Sequence, residues 1–205
     1  MLENKNLFLK QLEVGEMDNF TYFLGDKNTS EIVLVDPAWD QEKLKKEIKK
    51  QGLIVKAVLL THGHFDHAMG ADALALYFKV PTYVSKNEFA FYKPKGESIV
   101  EVDDGYTLNV GAIQIKFIST PGHTPGSMCF LVENSLLLTG DTLFIDGCGR
   151  HDLPGGSATD LVHSLHHIIG NLSDDTLIYP GHNYGSKKVD TLKNQKNTNH
   201  HLQPR

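Results

Sequence analysis

Short apolar runs bounded by turn residues recur along this chain and predict a protein rich in β-strands. The clearest is residues 55–60 (VKAVLL), which has the length and apolar character of a strand buried in a sheet. Further strands are predicted at residues 20–24, 32–35, 80–84, 99–102, 113–118, 128–132, 136–138 and 177–179. The sequence Gly-Asp-Lys-Asn at residues 25–28 separates the first two of these and predicts a turn.

Three segments space their apolar residues as a helix does. In residues 43–50 (KLKKEIKK), Leu44 and Ile48 lie four apart among lysines, which predicts an amphipathic helix with a basic solvent face. Residues 68–78 predict a second helix and residues 160–169 a third. Strands mixed with helices are typical of a layered α/β fold, and a length of 205 residues favours a single domain over residues 1–205.

Composition excludes several classes of protein. Lysine and arginine total 20 against 25 aspartate and glutamate, a net charge of −5, whereas a general nucleic-acid binder has a basic surface. No apolar stretch approaches the roughly 18–20 residues of a membrane helix, and the first residues (MLENKNLFLKQLEV) lack the apolar region of a secretory signal. Cys129 and Cys148 are the only cysteines, so no disulfide framework exists and we expect a cytoplasmic location.

The chemistry concentrates in residues 61–67 (THGHFDH), directly after the predicted strand at 55–60. An extended backbone points His62 and His64 to the same side, and a turn into the next helix can return Asp66 and His67 toward them. Imidazole with carboxylate is a ligand set for zinc, iron or manganese. A polar loop of solvated histidines is the alternative, but the whole HxHxDH pattern after a strand favours a metal site.

Three later segments share one form: an apolar strand, a short turn with glycine, and a potential ligand. They are TPGH at 120–123, TGD at 139–141 and YPGH at 179–182, which end in His123, Asp141 and His182. Open α/β sheets carry functional side chains on loops at strand ends. Any one of these segments alone is typical of a structural turn, but four such strand ends, counting residues 61–67, favour a shared site.

These motifs, in this order, resemble the metallo-β-lactamase superfamily, and more narrowly its glyoxalase II-like branch, which is close to the persulfide dioxygenases. The resemblance implies a four-layer αββα sandwich with the metals at one edge between the two sheets. It implies two groups of metal ligands, with one further residue bridging them. The first group is His62, His64 and His123; the second is Asp66, His67 and His182; the bridge is Asp141.

The resemblance also extends to residues around the motifs. Arg150, in a GCGR sequence, is expected to hold a substrate carboxylate, and Tyr184 to contact the substrate; the alternatives are a salt bridge to Asp152 for Arg150 and simple packing for Tyr184. Asp36 either orients the ligand loop or only ends a strand. Residues 80–96, which include Phe89, Phe91 and Tyr92, either wall the substrate cleft or pack against the core.

The resemblance implies a metal-dependent hydrolase that cleaves a thioester of the hydroxyacylglutathione type. Two divalent ions, zinc ahead of iron or manganese, make a shared water acidic enough to supply hydroxide at neutral pH. Asp66 or Asp141 orients that hydroxide. The sequence has no GxSxG motif, so a covalent serine mechanism is not indicated.

The alternative function is an oxygenase, an Fe(II) persulfide dioxygenase acting on glutathione persulfide. A single Fe(II) is then held by His62, His123 and Asp141, a two-histidine, one-carboxylate set that leaves coordination sites open. In both cases the expected partner is a small thiol conjugate, with glutathione as the candidate carrier, and no nucleic acid or membrane. A homodimer is left open. Only 21 residues, mostly polar, follow Tyr184, where glyoxalase II has a helical extension.

Overall fold

Two six-stranded β-sheets form the centre of the fold. The structure, a computed structural model, describes residues 5–89, 93–96 and 98–203. The first sheet contains β1 (Leu7–Val14), β2 (Asn19–Asp26), β3 (Glu31–Val35), β4 (Ile54–Leu59), β5 (Thr82–Ser85) and β6 (Ile99–Val102), in that order across the sheet. The strands from β1 to β3 pair antiparallel, and those from β3 to β6 pair parallel.

The second sheet is built from the later part of the chain. Its six strands are β7 (Thr107–Val110), β8 (Ile113–Ser119), β9 (Met128–Val132), β10 (Leu136–Gly140), β13 (Leu177–Pro180) and β14 (Asp190–Thr191). A separate two-stranded ribbon consists of β11 (Leu143–Phe144) and β12 (Gly147–Cys148). The order across the six-stranded sheet is β14-β13-β10-β9-β8-β7. Only β10 and β13 pair parallel in it among the described residues. The carboxyl ends of these two strands therefore lie side by side.

Helices cover the outer face of each sheet. On the first sheet lie α1 (Gln41–Gln51) and α3 (Ala71–Phe78), with the short α2 (Phe65–Ala68) between β4 and α3. On the second sheet lie α4 (Ala158–His163), which continues as a π-helical turn over Ser164–Ile168 and a 3-10 turn over Ile169–Asn171, and α5 (Leu192–Thr198). The predicted αββα sandwich is confirmed. No helix among the described residues has the length and apolar character to cross a bilayer.

The main core lies between the two sheets. Phe20 and Leu24 of the first sheet are buried there with Phe117 and Phe130 of the second. The Phe117 and Phe130 rings cross with centroids 4.7 Å apart. The inner faces of both sheets are thus apolar, as packed sheets require. The histidine and aspartate side chains of the predicted metal site lie on loops at one edge of the sandwich.

Several segments differ from their prediction. The helix predicted at 68–78 is interrupted between α2 and α3. Gly70, in the break, packs closely against a neighbouring loop, since a Cβ there would lie 2.1 Å from the Pro37 carbonyl oxygen. The turn predicted at 25–28 starts later, since β2 continues to Asp26. The helix α5 and the strands β1, β7, β11, β12 and β14 were not predicted at all.

The amphipathic helix predicted around residues 43–50 is confirmed as α1, whose Leu44 and Ile48 are buried against the first sheet. We expect Ile48→Val to lower the free energy of unfolding by about 0.5–1.5 kcal/mol, because it removes one buried methyl group. Ile54→Val is the matched control, since Ile54 is 52% exposed and should change stability very little. Urea unfolding of both variants tests this; equal losses would contradict the burial of α1.

Candidate metal centre

Loops at the carboxyl ends of four strands meet at one edge of the sandwich. The loop after β4 carries His62 and His64, and the loop after β8 carries His123. Asp141 directly follows β10, and His182 lies two residues after the end of the neighbouring strand β13. The helix α2 adds Asp66 and His67. The structure brings all of the predicted ligands into one cluster, in three overlapping groups of three.

The first group consists of His62, His64 and His123, whose ligand atoms all lie within 4.8 Å of one another. His64 Nδ1 is 2.9 Å from His123 Nε2. His62 and His123 are almost completely buried. Three nitrogens from two separate loops therefore face one point.

The second group consists of Asp66, His67 and His182, with the same spacing limit of 4.8 Å. His67 Nε2 lies 3.1 Å from His182 Nε2, and His182 Nε2 lies 3.4 Å from Asp66 Oδ2. A carboxylate and two imidazoles form a second set of donors beside the first.

Asp141 joins the two groups. Its Oδ1 is 3.3 Å from His67 Nε2, and its Oδ2 is 3.5 Å from His123 Nε2 and 3.4 Å from His182 Nε2. Asp141 also forms a third group with His62 and His67. One carboxylate thus contacts members of both groups, the arrangement expected of a bridging ligand.

Hydrogen bonds on the outer side of the imidazoles set their tautomers. His123 Nδ1 lies 2.7 Å from the Arg150 carbonyl oxygen, and His182 Nδ1 lies 2.7 Å from the Met17 carbonyl oxygen. A carbonyl oxygen only accepts, so each Nδ1 carries the hydrogen and donates it. In the neutral rings the Nε2 lone pairs of His123 and His182 then point into the cluster. Such outer partners are typical of metal-ligating histidines.

Asp36 supports the ligand loop from the other side. Its Oδ2 lies 3.0 Å from His67 Nδ1 and accepts the Thr61 hydroxyl at 2.6 Å, while its Oδ1 accepts the Thr61 backbone N–H at 2.8 Å. Asp36 has a φ of 49°, a left-handed conformation that costs free energy for a residue with a side chain. The loop-orienting interpretation of Asp36 matches these contacts better than that of a plain turn residue.

The cluster fits a cation. Lone pairs and carboxylate oxygens converge within a few ångströms, and His62 Nε2 and Asp141 Oδ1 are buried with no hydrogen-bond partner among the described residues. A buried polar atom without a partner costs free energy. A positive ion between these atoms would satisfy them, and imidazole with carboxylate suits zinc, iron or manganese.

The pKa values of the ligand side chains shift in different directions within the cluster. Burial lowers the pKa of His182, but its hydrogen bonds to Asp141 and Asp66 outweigh burial and raise the pKa to about 9. Burial raises the pKa of the Asp66 carboxyl, while the hydrogen bond from His182 and the charge of His67 lower it to about 2. Burial lowers the pKa of His62 well below its usual range, which favours its neutral, ligating form.

Two glycines are required by the close packing around Asp141. A Cβ at Gly149 would lie 1.8 Å from the Asp141 carbonyl oxygen, and a Cβ at Gly181 would lie 2.5 Å from Asp141 Oδ1. Any side chain at either position would push a loop away from the ligands. Gly149 of the GCGR sequence and Gly181 of the YPGH sequence therefore have a steric explanation.

A cleft of about 880 Å³ opens onto the cluster, within the size range of small-molecule sites. Ligand side chains from both groups and Asp141 form its floor. Its other lining residues include Met17, Phe65, Met69, Lys95, Phe144, Leu153 and Tyr184. Phe91 and Tyr92, considered above as cleft residues, lie outside the described residues, but Lys93 and Pro94 of the same segment line the cleft.

Both predicted substrate residues line this cleft. The Arg150 side chain is 67% exposed, and its Nε and Nη2 donate to the two carboxylate oxygens of Asp152, each at 2.9 Å. The ring of Tyr184 stacks on His182, with centroids 4.5 Å apart, and is 54% exposed. The salt bridge and the packing foreseen as alternatives are thus present, and substrate binding by either residue stays a prediction.

Two residues that support the ligands, Asn19 and Glu88, were not predicted from the sequence. Asn19 donates from Nδ2 to Asp66 Oδ2 at 3.1 Å and accepts from Trp39 Nε1 at 2.9 Å, so it holds a ligand in place. Glu88 accepts hydrogen bonds from Gly63 and Thr124, the neighbours of three ligands. No motif spacing marks these residues, because their partners are distant in the chain.

Comparison with known proteins supports the family resemblance of the motifs. The family described as the metallo-beta-lactamase superfamily matches residues 14–182. The chain is 34% identical to the probable polyketide biosynthesis zinc-dependent hydrolase BaeB of Bacillus velezensis, over 90% of this chain and 82% of that protein. It is also 34% identical to the mitochondrial persulfide dioxygenase ETHE1 of Homo sapiens, over 96% and 76% of the two chains. A probable hydroxyacylglutathione hydrolase of Schizosaccharomyces pombe is 32% identical, over 92% and 79%.

Solved structures are similar over nearly the whole chain. The crystal structure of ETHE1 from Myxococcus xanthus superposes with a TM-score of 0.85 at 31% identity, covering 94% of this chain and 83% of that one. The structure of TTHA1623 in a di-iron-bound form gives a TM-score of 0.82 at 29% identity, covering 93% and 98%. Relatives of this kind include hydrolases and dioxygenases.

Proposed function

The chain belongs to the metallo-beta-lactamase superfamily, and from that premise we propose that it is a metal-dependent hydrolase that cleaves thioesters of a small thiol such as glutathione. The observation that supports the proposal is that the cluster has enough ligands for two metal ions. It contains two complete groups of donors and a carboxylate that contacts both. A single ion needs only some of these side chains, whereas two ions use all of them.

In this proposal each group holds one divalent ion, with zinc as the first candidate. The residues that would hold the first ion are His62, His64 and His123; those for the second are Asp66, His67 and His182; Asp141 would bridge them. When bound, two such ions lower the pKa of water and polarise a carbonyl oxygen. The zinc-dependent hydrolase named among the relatives supports this choice.

The chain's own side chains orient the reaction. Asp66 and Asp141 both line the cleft and both approach His182 Nε2 at 3.4 Å, so their oxygens are placed to accept hydrogen bonds from the attacking hydroxide. The hydroxide oxygen forms a bond to the thioester carbonyl carbon, and the carbon–sulfur bond then breaks. The sulfur leaves as a thiolate with the bonding electron pair, and the proton of the newly formed carboxylic acid passes to that thiolate, so the products are a carboxylate and a free thiol.

The cleft offers different surfaces for the two halves of such a substrate. Met17, Phe65 and Met69 present apolar surface that suits an acyl chain. Arg150 uses two of its five donor positions on Asp152, so the others can bind a carboxylate of the thiol carrier. Tyr184, stacked on His182, is placed to contact the part of the substrate near the reacting carbonyl.

The direct test is thioester hydrolysis by the purified, zinc-loaded protein. With S-lactoylglutathione as substrate, we expect release of free thiol and D-lactate in equal amounts, at a rate that is proportional to protein concentration. Protein freed of metal is the control and should be inactive. No thiol release from S-lactoylglutathione or from longer acyl-glutathiones would contradict the proposal.

The apolar side chains that line the cleft lead to a prediction about the length of the substrate's acyl chain. Phe65 lines the cleft mouth, so Phe65→Ala should lower kcat/KM for S-hexanoylglutathione by up to about tenfold, equal to about 1.4 kcal/mol of lost apolar contact. It should change kcat/KM for S-acetylglutathione far less. Leu76→Ala is the matched control, because Leu76 is 75% exposed and lies away from the cleft. Equal losses for both substrates would show that Phe65 does not contact the acyl chain.

A persulfide dioxygenase is the second candidate, favoured by the 34% identity to the human enzyme and by the likeness to the Myxococcus xanthus structure. One Fe(II) would then be held by His62, His123 and Asp141. Oxygen consumption on adding glutathione persulfide to iron-loaded protein tests it. Uptake of oxygen without thioester hydrolysis would replace the hydrolase proposal, and hydrolysis without uptake would remove the dioxygenase.

A further inference from the structure

Glu88 is a buried carboxylate that contacts the backbone of the ligand loops without being one of the cluster's donors. It follows β5 and is only 4% exposed. Its Oε2 accepts the Gly63 backbone N–H at 3.0 Å and the Thr124 hydroxyl at 2.7 Å, and its Oε1 accepts the Phe89 backbone N–H at 3.0 Å. Burying a carboxylate is costly unless its hydrogen bonds are made, so these contacts hold Glu88 in one position.

The two donors to Oε2 are next to all members of the first ligand group. Gly63 lies between His62 and His64, and Thr124 directly follows His123. One oxygen atom therefore connects the loop after β4 to the loop after β8. The distance between these loops decides where the three imidazoles meet.

A short chain of hydroxyl groups extends the contact. Ser127 Oγ accepts the Thr124 backbone N–H at 3.0 Å and lies 3.0 Å from Thr124 Oγ1. Because the Thr124 hydroxyl donates to Glu88, the Ser127 hydroxyl donates to Thr124 in turn. Gly126 packs directly on this turn, since a Cβ there would lie 2.5 Å from the Glu88 Cα. The loop that carries His123 is thus fitted around Glu88.

Glu88 has a counterpart on the other side of β4. The strands β3 and β5 flank β4 in the sheet, and each is followed by a buried acidic residue, Asp36 and Glu88. Asp36 contacts His67, a member of the second group, and Thr61. The Glu88 carboxylate instead accepts from Gly63 and Thr124, which adjoin the first group, and from the Phe89 backbone N–H.

We propose that Glu88 is a positioning residue for the first metal ion, the one assigned to His62, His64 and His123. Its charge-assisted hydrogen bonds fix the spacing of the two loops, and the second ion depends on it little. The inference rests on the two-ion site of the proposed function, whichever reaction that site performs.

The test measures metal binding and not turnover. Wild-type protein loaded with ¹¹³Cd²⁺ should give two ¹¹³Cd NMR resonances, one for each group. In Glu88→Gln, which keeps the size of the side chain but loses its charge, the affinity of one site should fall by about 10–100-fold, and that resonance should disappear or shift. Coupling to the ring protons of His62, His64 and His123 assigns it to the first group. The other resonance should keep its position.

Two further variants keep the test decisive. Thr124→Val removes one donor without changing the shape, and should weaken the same site by a smaller factor even if Glu88→Gln does not fold. Since both act through one hydrogen bond, their effects should not add in the double variant. Glu31→Gln is the control, because Glu31 pairs with Lys56 on the surface and should leave both resonances unchanged.

Two results would overturn the inference. One is unchanged cadmium affinity at both sites in Glu88→Gln and Thr124→Val. The other is an equal loss at both sites, which indicates a general loss of structure and no selective positioning. Failure of the two-ion premise is seen separately, because wild-type protein would then bind fewer than two cadmium ions, and failure of the proposed hydrolysis is seen in the thioester assay.

Discussion

Asp141→Asn will lower kcat/KM for thioester hydrolysis by about 10³-fold or more, equal to about 4 kcal/mol of activation free energy. The carboxylate is buried and its oxygens lie 3.3–3.5 Å from the Nε2 atoms of His67, His123 and His182. Asparagine keeps the shape but removes the negative charge and replaces an acceptor oxygen by an NH2 group. Both groups of ligands lose a shared donor, so metal content should fall together with activity.

Asp146→Asn is the matched control for this prediction. Asp146 lies in the turn between β11 and β12, five residues after Asp141; it is exposed, accepts the Ser186 hydroxyl at 2.6 Å and belongs to none of the three ligand groups. Steady-state kinetics and elemental analysis of both variants give the comparison, with circular dichroism to show that each is folded. An Asp141→Asn protein that keeps two equivalents of metal and full activity would rule out a bridging role.

Removal of the metal will abolish activity completely and lower the Tm. An ion that binds only the folded state stabilises it by RT ln(1 + [L]/Kd), about 4 kcal/mol at a concentration of 1,000 times Kd. In its absence His62 Nε2 and Asp141 Oδ1 stay buried without a hydrogen-bond partner among the described residues, so that free energy is lost. Dialysis against a chelator followed by calorimetry and kinetics measures both effects.

Reconstitution supplies the control. Zinc should restore hydrolysis and the Tm at two equivalents per chain, while magnesium or calcium should not, since these ions prefer oxygen ligands and the cluster is rich in imidazole. Full hydrolysis by the chelated protein, or full rescue by magnesium alone, would show that the imidazoles do not hold the catalytic ions.

Much of the fold follows from local hydrophobic patterns. The run at residues 55–60 appears as β4, and the apolar pair Leu44 and Ile48 appears on the buried face of α1. In contrast, β1 is an edge strand with lysine, glutamine and glutamate among its apolar residues, so its alternation is weak. The helix α5 (LKNQKNT) has one apolar residue, Leu192.

Polar contacts explain why α5 forms against that pattern. Its Gln195 is completely buried, accepts the Asp146 backbone N–H at 2.8 Å and donates to Asp190 at 2.9 Å. Asp146 is 49 residues away and Asp190 precedes the helix, so neither contact leaves an apolar periodicity to detect. Hydrophobic spacing therefore predicts helices held by apolar packing and misses those held by polar anchoring.

The candidate site shows the same difference between residues in local motifs and residues that act through distant contacts. His62, His64, Asp66 and His67 stand in one compact motif, and the remaining candidate ligands each end a strand-glycine segment, so their residue types and spacing are visible in the chain. Glu88 and Asn19 act through hydrogen bonds to residues 25 or more positions away. Only the folded structure brings those partners together.

A crystal structure of the zinc-loaded protein, with anomalous scattering recorded on both sides of the zinc absorption edge, tests the two-ion centre most directly. We expect two zinc peaks, both in contact with Asp141. One peak should contact His62, His64 and His123, and the other Asp66, His67 and His182. A single peak held only by His62, His123 and Asp141, with the second group free of metal, would contradict it.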